Sequence, residues 1–231
     1  MSFNIIKDSL GITTKNNKET FTSKLNYNSS NHLNFEEADL HFPDRCFYRD
    51  ICFDYTILPS EKGNCYSSIH QIDNYTTPVH TGYNISIRGD KVPSDKKDKA
   101  LIVYREKAGS NPKPLIGNWN TEWFNATAYK FGQYYIALDQ SMPTIKCLAK
   151  DPSSSILKSK EIRFQILDDL SGIANYNVYI DDVWVIAEFD AKYNRLTYYA
   201  DPDLSKGNHE MRVEVTDKIG NQNSLRLNFK I

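Results

Sequence analysis

The sequence predicts an all-β protein built as two tandem β-sandwich domains, and three observations carry that reading. Apolar residues alternate with polar ones at period two in short runs, as with Ile51, Phe53, Tyr55 and Ile57 against Cys52, Asp54 and Thr56, the pattern of a strand with one buried face. Turn residues separate such runs at intervals of roughly ten residues, and no stretch longer than about eight holds a helical period. Aromatic residues make up 13% of the 231, with fifteen Tyr among them, a composition that favours strands. Helix content is expected to be minimal.

Residues 1–34 are rich in Asn, Ser, Thr and Lys with isolated apolar positions. They read as an N-terminal extension, partly ordered, with an edge strand over 19–27. The first sandwich is expected over 35–139. Its strands are read at 51–57, 66–72, 83–87, 101–104 and 134–138, with a turn at 59–64 and a charged break at 88–99. In 83–87, Tyr83, Ile85 and Ile87 alternate with Asn84, Ser86 and Arg88.

Pro143 marks a seam, and the second domain is expected over 140–231. Strands are read at 145–148, 161–167, 176–180, 183–187, 195–199, 209–216 and 225–229, with a loop at 150–155 and a tight turn at 168–172. Asp181-Asp182 is read as a two-residue hairpin turn. About seven strands in about ninety residues suit an immunoglobulin-like sandwich.

A net charge of -1 without a basic run offers no electrostatic footprint for nucleic acid or an anionic membrane. No apolar window is long enough for a membrane-spanning helix, and the first ten residues lack the basic start and apolar core of a signal peptide. Cys46, Cys52, Cys65 and Cys147 have no C-x-x-C spacing, so no structural zinc site is expected. The first three lie close enough in sequence to offer one disulfide, against the reading of buried free thiols. No catalytic motif and no phosphate-cradling loop is present, so neither catalytic residues nor a cofactor is assigned.

Three groups of residues bear chemistry. His70, Asp73 and His80 form the densest cluster of potential metal ligands, without metal spacing. Asp168, Asp169, Asp181, Asp182 and Asp217 are candidate Ca²⁺ ligands at one end of the second sandwich, although turn chemistry explains them without a metal. Trp119, Trp123 and Phe124, beside Asn118, Asn120 and Asn125, are a candidate ligand surface that could stack on sugar rings, or else cover the end of the core. Trp184, between Val183 and Val185, suits a core strand. The N-x-S/T triplets at Asn28, Asn74, Asn84 and Asn125 are read as chance in an Asn-rich chain.

The second domain carries D-D-L-S-G-I at 168–173, V-Y-I-D-D at 178–182, G-N-H-E at 207–210 and V-T-D-K-I-G-N at 215–221. These resemble the turns of bacterial Ig-like modules. The first domain carries H-F-P-D-R-C-F-Y-R-D, Y-S-S-I-H-Q-I-D-N, T-P-V-H-T-G-Y-N-I-S-I and G-N-W-N-T-E-W-F-N-A-T-A-Y-K-F-G-Q-Y-Y-I-A-L-D-Q-S-M-P-T-I. In that order they resemble the region downstream of the catalytic domain in M23-type, lysostaphin-like metallopeptidases of Bacteroidetes. The resemblance spans roughly residues 35–231. It implies a periplasmic, secreted or cell-envelope location, and as partner an upstream catalytic domain or an envelope glycan or protein. The family's H-x3-D and H-x-H zinc elements are absent here, which implies accessory, non-catalytic modules.

Overall fold

The computed structural model describes residues 19–231. The chain divides into two compact units, one ending at Asp139 and the other running Gln140–Ile231. The described part of the first unit contains eleven strands: β1 (Glu19–Leu25), β2 (Asn31–Asn34), β3 (Ala38–Phe42), β4 (Ile51–Leu58), β5 (Ile69–Ile72), β6 (Tyr83–Arg88), β7 (Ala100–Arg105), β8 (Lys113–Leu115), β9 (Gly117–Asn120), β10 (Trp123–Ala128) and β11 (Gly132–Leu138). They form a six-stranded sheet in the order β1-β4-β5-β11-β7-β8 and a five-stranded sheet in the order β2-β3-β6-β10-β9. All the pairings are antiparallel.

Period-two alternation sends one side chain in two into a shared core, here Leu40, Phe42, Tyr83, Ile85 and Ile87 from one sheet and Phe53, Tyr55, Ile102, Tyr134 and Ile136 from the other. At its centre Phe42 sits 4.8 Å from Tyr83 and 5.3 Å from Phe47 between ring centroids. β1 pairs along all of its length with β4 and lies at the sheet's edge, and β2 pairs with β3. The sandwich therefore takes in the chain from Glu19 on, and a boundary at 34/35 falls inside the β2–β3 hairpin.

The second unit has eight strands: β12 (Thr144–Cys147), β13 (Glu161–Leu167), β14 (Ile173–Ile180), β15 (Val183–Val185), β16 (Glu188–Asp190), β17 (Arg195–Tyr199), β18 (Asn208–Asp217) and β19 (Gln222–Lys230). Two four-stranded antiparallel sheets, β12-β13-β17-β16 and β15-β14-β18-β19, enclose Phe164, Leu196, Tyr198, Val178, Val213 and Phe229. Both residues of the Asp181-Asp182 turn have positive φ (49° and 65°), as a two-residue hairpin whose turn follows the strand twist requires.

A short α-helix, α1 (Pro152–Ser159), corrects the expected loop at 150–155. Asp151 caps it by accepting from the Ser153 N–H (3.1 Å), Pro152 occupies the first turn, and Lys160 closes it in the left-handed region (φ 59°). Only Ile156 is buried, so the helix shows almost no apolar period to read.

Candidate functional site

Alternation that fills the first core also decides what the five-stranded sheet shows on its other face. Strand register places Asn34 opposite Asp39, Asp39 opposite Ser86, Ser86 opposite Asn125 and Asn125 opposite Asn118. One row of polar side chains thus crosses all five strands, about 19 Å at the usual strand spacing. Beside it His32, His41, Asn84 and Thr127 form a second row over four strands, and Arg88, Trp123 and Asn120 a third over three. The first two rows, Asn34 excepted, line a shallow groove of about 720 Å³.

Charge on this face is largely met within it. Asp39 Oδ2 lies 2.8 Å from His32 Nε2 and accepts from Asn34 Nδ2 at 2.7 Å. Arg88 meets Glu122 at 2.9 Å and Asp90 at 3.4 Å. The side chains of Asn84, Ser86, Asn118, Asn125 and Thr127 make no hydrogen bond to another described residue. Beside the exposed His41 ring, what remains on offer is a set of uncharged amides and hydroxyls in fixed cross-strand register.

Of the three aromatics expected to form a ligand surface, one remains available on this face. Phe124 points into the core and is 2% exposed. Trp119 packs edge-on against it at 5.1 Å, and its indole N–H donates to the Lys97 carbonyl (2.8 Å). Trp123 lies on the outer face, half-buried, with the Arg88 guanidinium 5.6 Å from its ring centre. The reason is parity: consecutive residues of a strand point to opposite sides, so Trp123 and Phe124 cannot share a face.

The five aspartates proposed for calcium do not form one site: Asp168 and Asp169 bring carboxylate oxygens within 4.8 Å of each other, while the others are spread over both ends of the sheet. Asp168 and Asp217 serve adjacent turns at the end of the sheet where β14 starts. Asp168 Oδ2 accepts from the Gly172 N–H (2.7 Å), and Asp217 Oδ1 from the Ile219 and Asn221 N–H groups (2.9 and 2.8 Å). Asp169 is within 3.3 Å of the Ser141 hydroxyl. Asp181 and Asp182 lie at the far end of β14, about 25 Å away at the usual rise per residue. There Asp181 is 2.7 Å from His209 Nδ1, and Asp182 is 3.3 Å from Arg212. The hydrogen bond from His209 holds the Asp181 carboxyl below its ordinary range and raises the imidazole.

His70, Asp73 and His80 do not converge either. His70 is fully buried with Nδ1 2.6 Å from the Tyr55 hydroxyl, while His80 packs edge-on against Tyr48 at 4.8 Å. Burial pushes the Asp73 carboxyl up. All four cysteines are free thiols, and Cys52 is exposed rather than buried. Burial raises Cys46, whose Sγ donates to the Thr81 carbonyl. Trp184, expected in a core strand, is instead 57% exposed, and nearby Val183 and Ile186 are more exposed still. It stands on the outer face of an edge strand, and its indole N–H donates to Asn177 Oδ1 (3.2 Å).

The sheet face itself was missed, although two of the N-x-S/T triplets pointed to it. In a strand, residues two apart share a face, so Asn84 with Ser86 and Asn125 with Thr127 are outward polar pairs, and Asn118 with Asn120 is a third.

These features define an all-β protein of two sandwich-like units, the first with a polar groove across one sheet. The chain belongs to the Zu5-like domain family, whose model matches residues 22–139. No curated protein matches it. No described helix is long and apolar enough to cross a membrane.

Proposed function

We propose that this chain is a non-catalytic pair of β modules of a bacterial cell-envelope protein, which holds or positions that protein on its target through the outer face of the five-stranded sheet. The observation that carries this reading is the uninterrupted polar row from Asn34 to Asn118, fixed in register over five strands and left accessible. An accessible sheet face on which the side chains of Ser86, Asn118 and Asn125 make no hydrogen bond to another described residue suits a contact surface. The motif resemblance to the regions downstream of M23-type peptidase domains in Bacteroidetes supports the envelope setting, a periplasmic or secreted location and an upstream catalytic domain as partner. The four-plus-four antiparallel arrangement of the second unit, with Gly172 and Gly220 at positive φ in its D-x-x-S-G-I and D-K-I-G-N turns, supports an immunoglobulin-like module there.

The test is co-sedimentation with purified peptidoglycan sacculi, run beside an assay for released fragments. The expected result is saturable binding without hydrolysis. Hydrolysis by the chain, or its full recovery in the supernatant, would contradict the reading.

A further inference from the structure

From the chemistry of the five-stranded sheet we infer the class of ligand it takes: an uncharged oligosaccharide chain lying across the strands. The inference rests on the proposed contact face and adds what that face recognises. It follows from charge complementarity. Asp39 is engaged by His32 and Asn34, and Arg88 by Glu122 and Asp90, so a charged ligand would have to break existing pairs to find a partner. The uncommitted groups are the side chains of Ser86, Asn118 and Asn125 in one row and Asn84 and Thr127 in the next, with the His41 ring beside them. A side-chain amide both donates and accepts, as does a hydroxyl. Their complement is a ligand whose own groups do both at short, regular intervals, which a run of sugar hydroxyls supplies.

Geometry agrees with that choice. Because the row runs perpendicular to the strands, its groups recur once per strand, at about 4.8 Å, and an extended chain laid along it meets one strand after another. Trp123 stands in the adjoining row with its ring held beside Arg88 and adds an apolar wall for a sugar ring. The groove is shallow, and its volume of about 720 Å³ falls in the range of small-ligand sites.

Calorimetric titration of the whole chain with a β-1,4-linked N-acetylglucosamine tetramer and with cellotetraose tests the inference, with a heparin fragment as polyanionic control. At least one neutral tetramer is expected to bind saturably, with little dependence on salt. The Asn118→Ala/Asn125→Ala double variant is expected to lose about tenfold or more in affinity while keeping the wild-type melting curve. Ser86→Lys, an outward change in the middle of the row, checks the same face independently and is expected to weaken binding as well. Binding of heparin alone, binding of no neutral tetramer, or tetramer binding untouched in both variants would overturn it. The sacculus experiment separates this from the broader reading. Sacculus binding that survives both variants leaves an envelope module with a different contact. Tetramer binding without sacculus binding keeps the glycan site and removes the envelope role.

Discussion

His70 shows how much one buried group can weigh in the first unit. Its ring is fully buried, Nδ1 lies against the Tyr55 hydroxyl, and Nε2 finds no hydrogen-bond partner among the described residues. Burial lowers its pKa from 6.5 to about 3, because the imidazolium would lose its hydration without gaining a partner. Above pH 6.5 neither the folded nor the unfolded chain holds this proton. Below it the unfolded chain takes the proton up and the folded chain refuses it, until the pH nears 3. Across that window stability falls by about 1.4 kcal/mol per pH unit from this group. His70→Phe keeps the ring and removes the titration. Urea unfolding of the variant should therefore show a shallower loss between pH 6.5 and 4.5, by about 3 kcal/mol at most. Parallel pH profiles for variant and wild type would contradict the assignment. In the second unit His209 has the opposite sign. Its pKa is raised by the hydrogen bond to Asp181, so its contribution is present below 6.5 and lost as pH rises through the folded value. His209→Gln is expected to flatten the alkaline side of that unit's profile, read by hydrogen exchange in β18.

Among the elements, β9 and α1 separate what the sequence made legible from what it hid. In the first unit β1, β4, β5, β6, β7 and β11 were legible from alternation or a short apolar run, whereas β2, β3, β8, β9 and β10, most of them only three to five residues long, were not. The placement of Trp123 and Phe124 was not legible, because adjacent aromatics look like one cluster in sequence whereas strand parity sends them to opposite sides. α1 lacked a periodic apolar face, with Ile156 alone buried, and its surviving signal was local: Asp151 as cap followed by Pro152. Asp151→Ala is expected to cost about 1 kcal/mol, read as fraying of 152–159 by hydrogen exchange. The apolar neighbours of Trp184 suggest an inward side chain, yet β15 lies at a sheet edge, where an apolar run does not guarantee burial. β9 depends on close approach to β10, since a Cβ added at Gly117 would lie 1.9 Å from the Asn125 carbonyl oxygen. Gly117→Ala should force β9 away from β10 and destabilise the first unit by about 1–3 kcal/mol. It should also break the polar row between Asn125 and Asn118, lowering ligand affinity. An unshifted melting curve for this variant would show the strands to be less tightly paired than described.

For the whole molecule, each unit encloses its own aromatic-rich core, and the first devotes one sheet face to polar groups in register. The fold class was legible because alternation and turn spacing are local properties. The site was not, because Asn34, Asp39, Ser86, Asn118 and Asn125 are scattered between positions 34 and 125 and meet only through strand order β2-β3-β6-β10-β9, which no local pattern reveals. The calcium candidates split for the converse reason: Asp168 and Asp169 stay together, but Asp181, close to them in sequence, lies at the opposite end of β14. Since the first unit has a core of its own, residues 19–139 expressed alone are expected to unfold in one cooperative transition. A broad, non-cooperative melt would contradict that.

The central claim is that the five-stranded sheet face binds an uncharged glycan. The most direct measurement is NMR of the side-chain amides during titration with the N-acetylglucosamine tetramer or cellotetraose. Saturable shifts are expected of the Asn84, Asn118 and Asn125 amides and the Trp123 indole, with the Trp119 indole, whose N–H is bonded to the Lys97 carbonyl, changing little. Shifts confined to other surfaces, or none with either sugar, would contradict it.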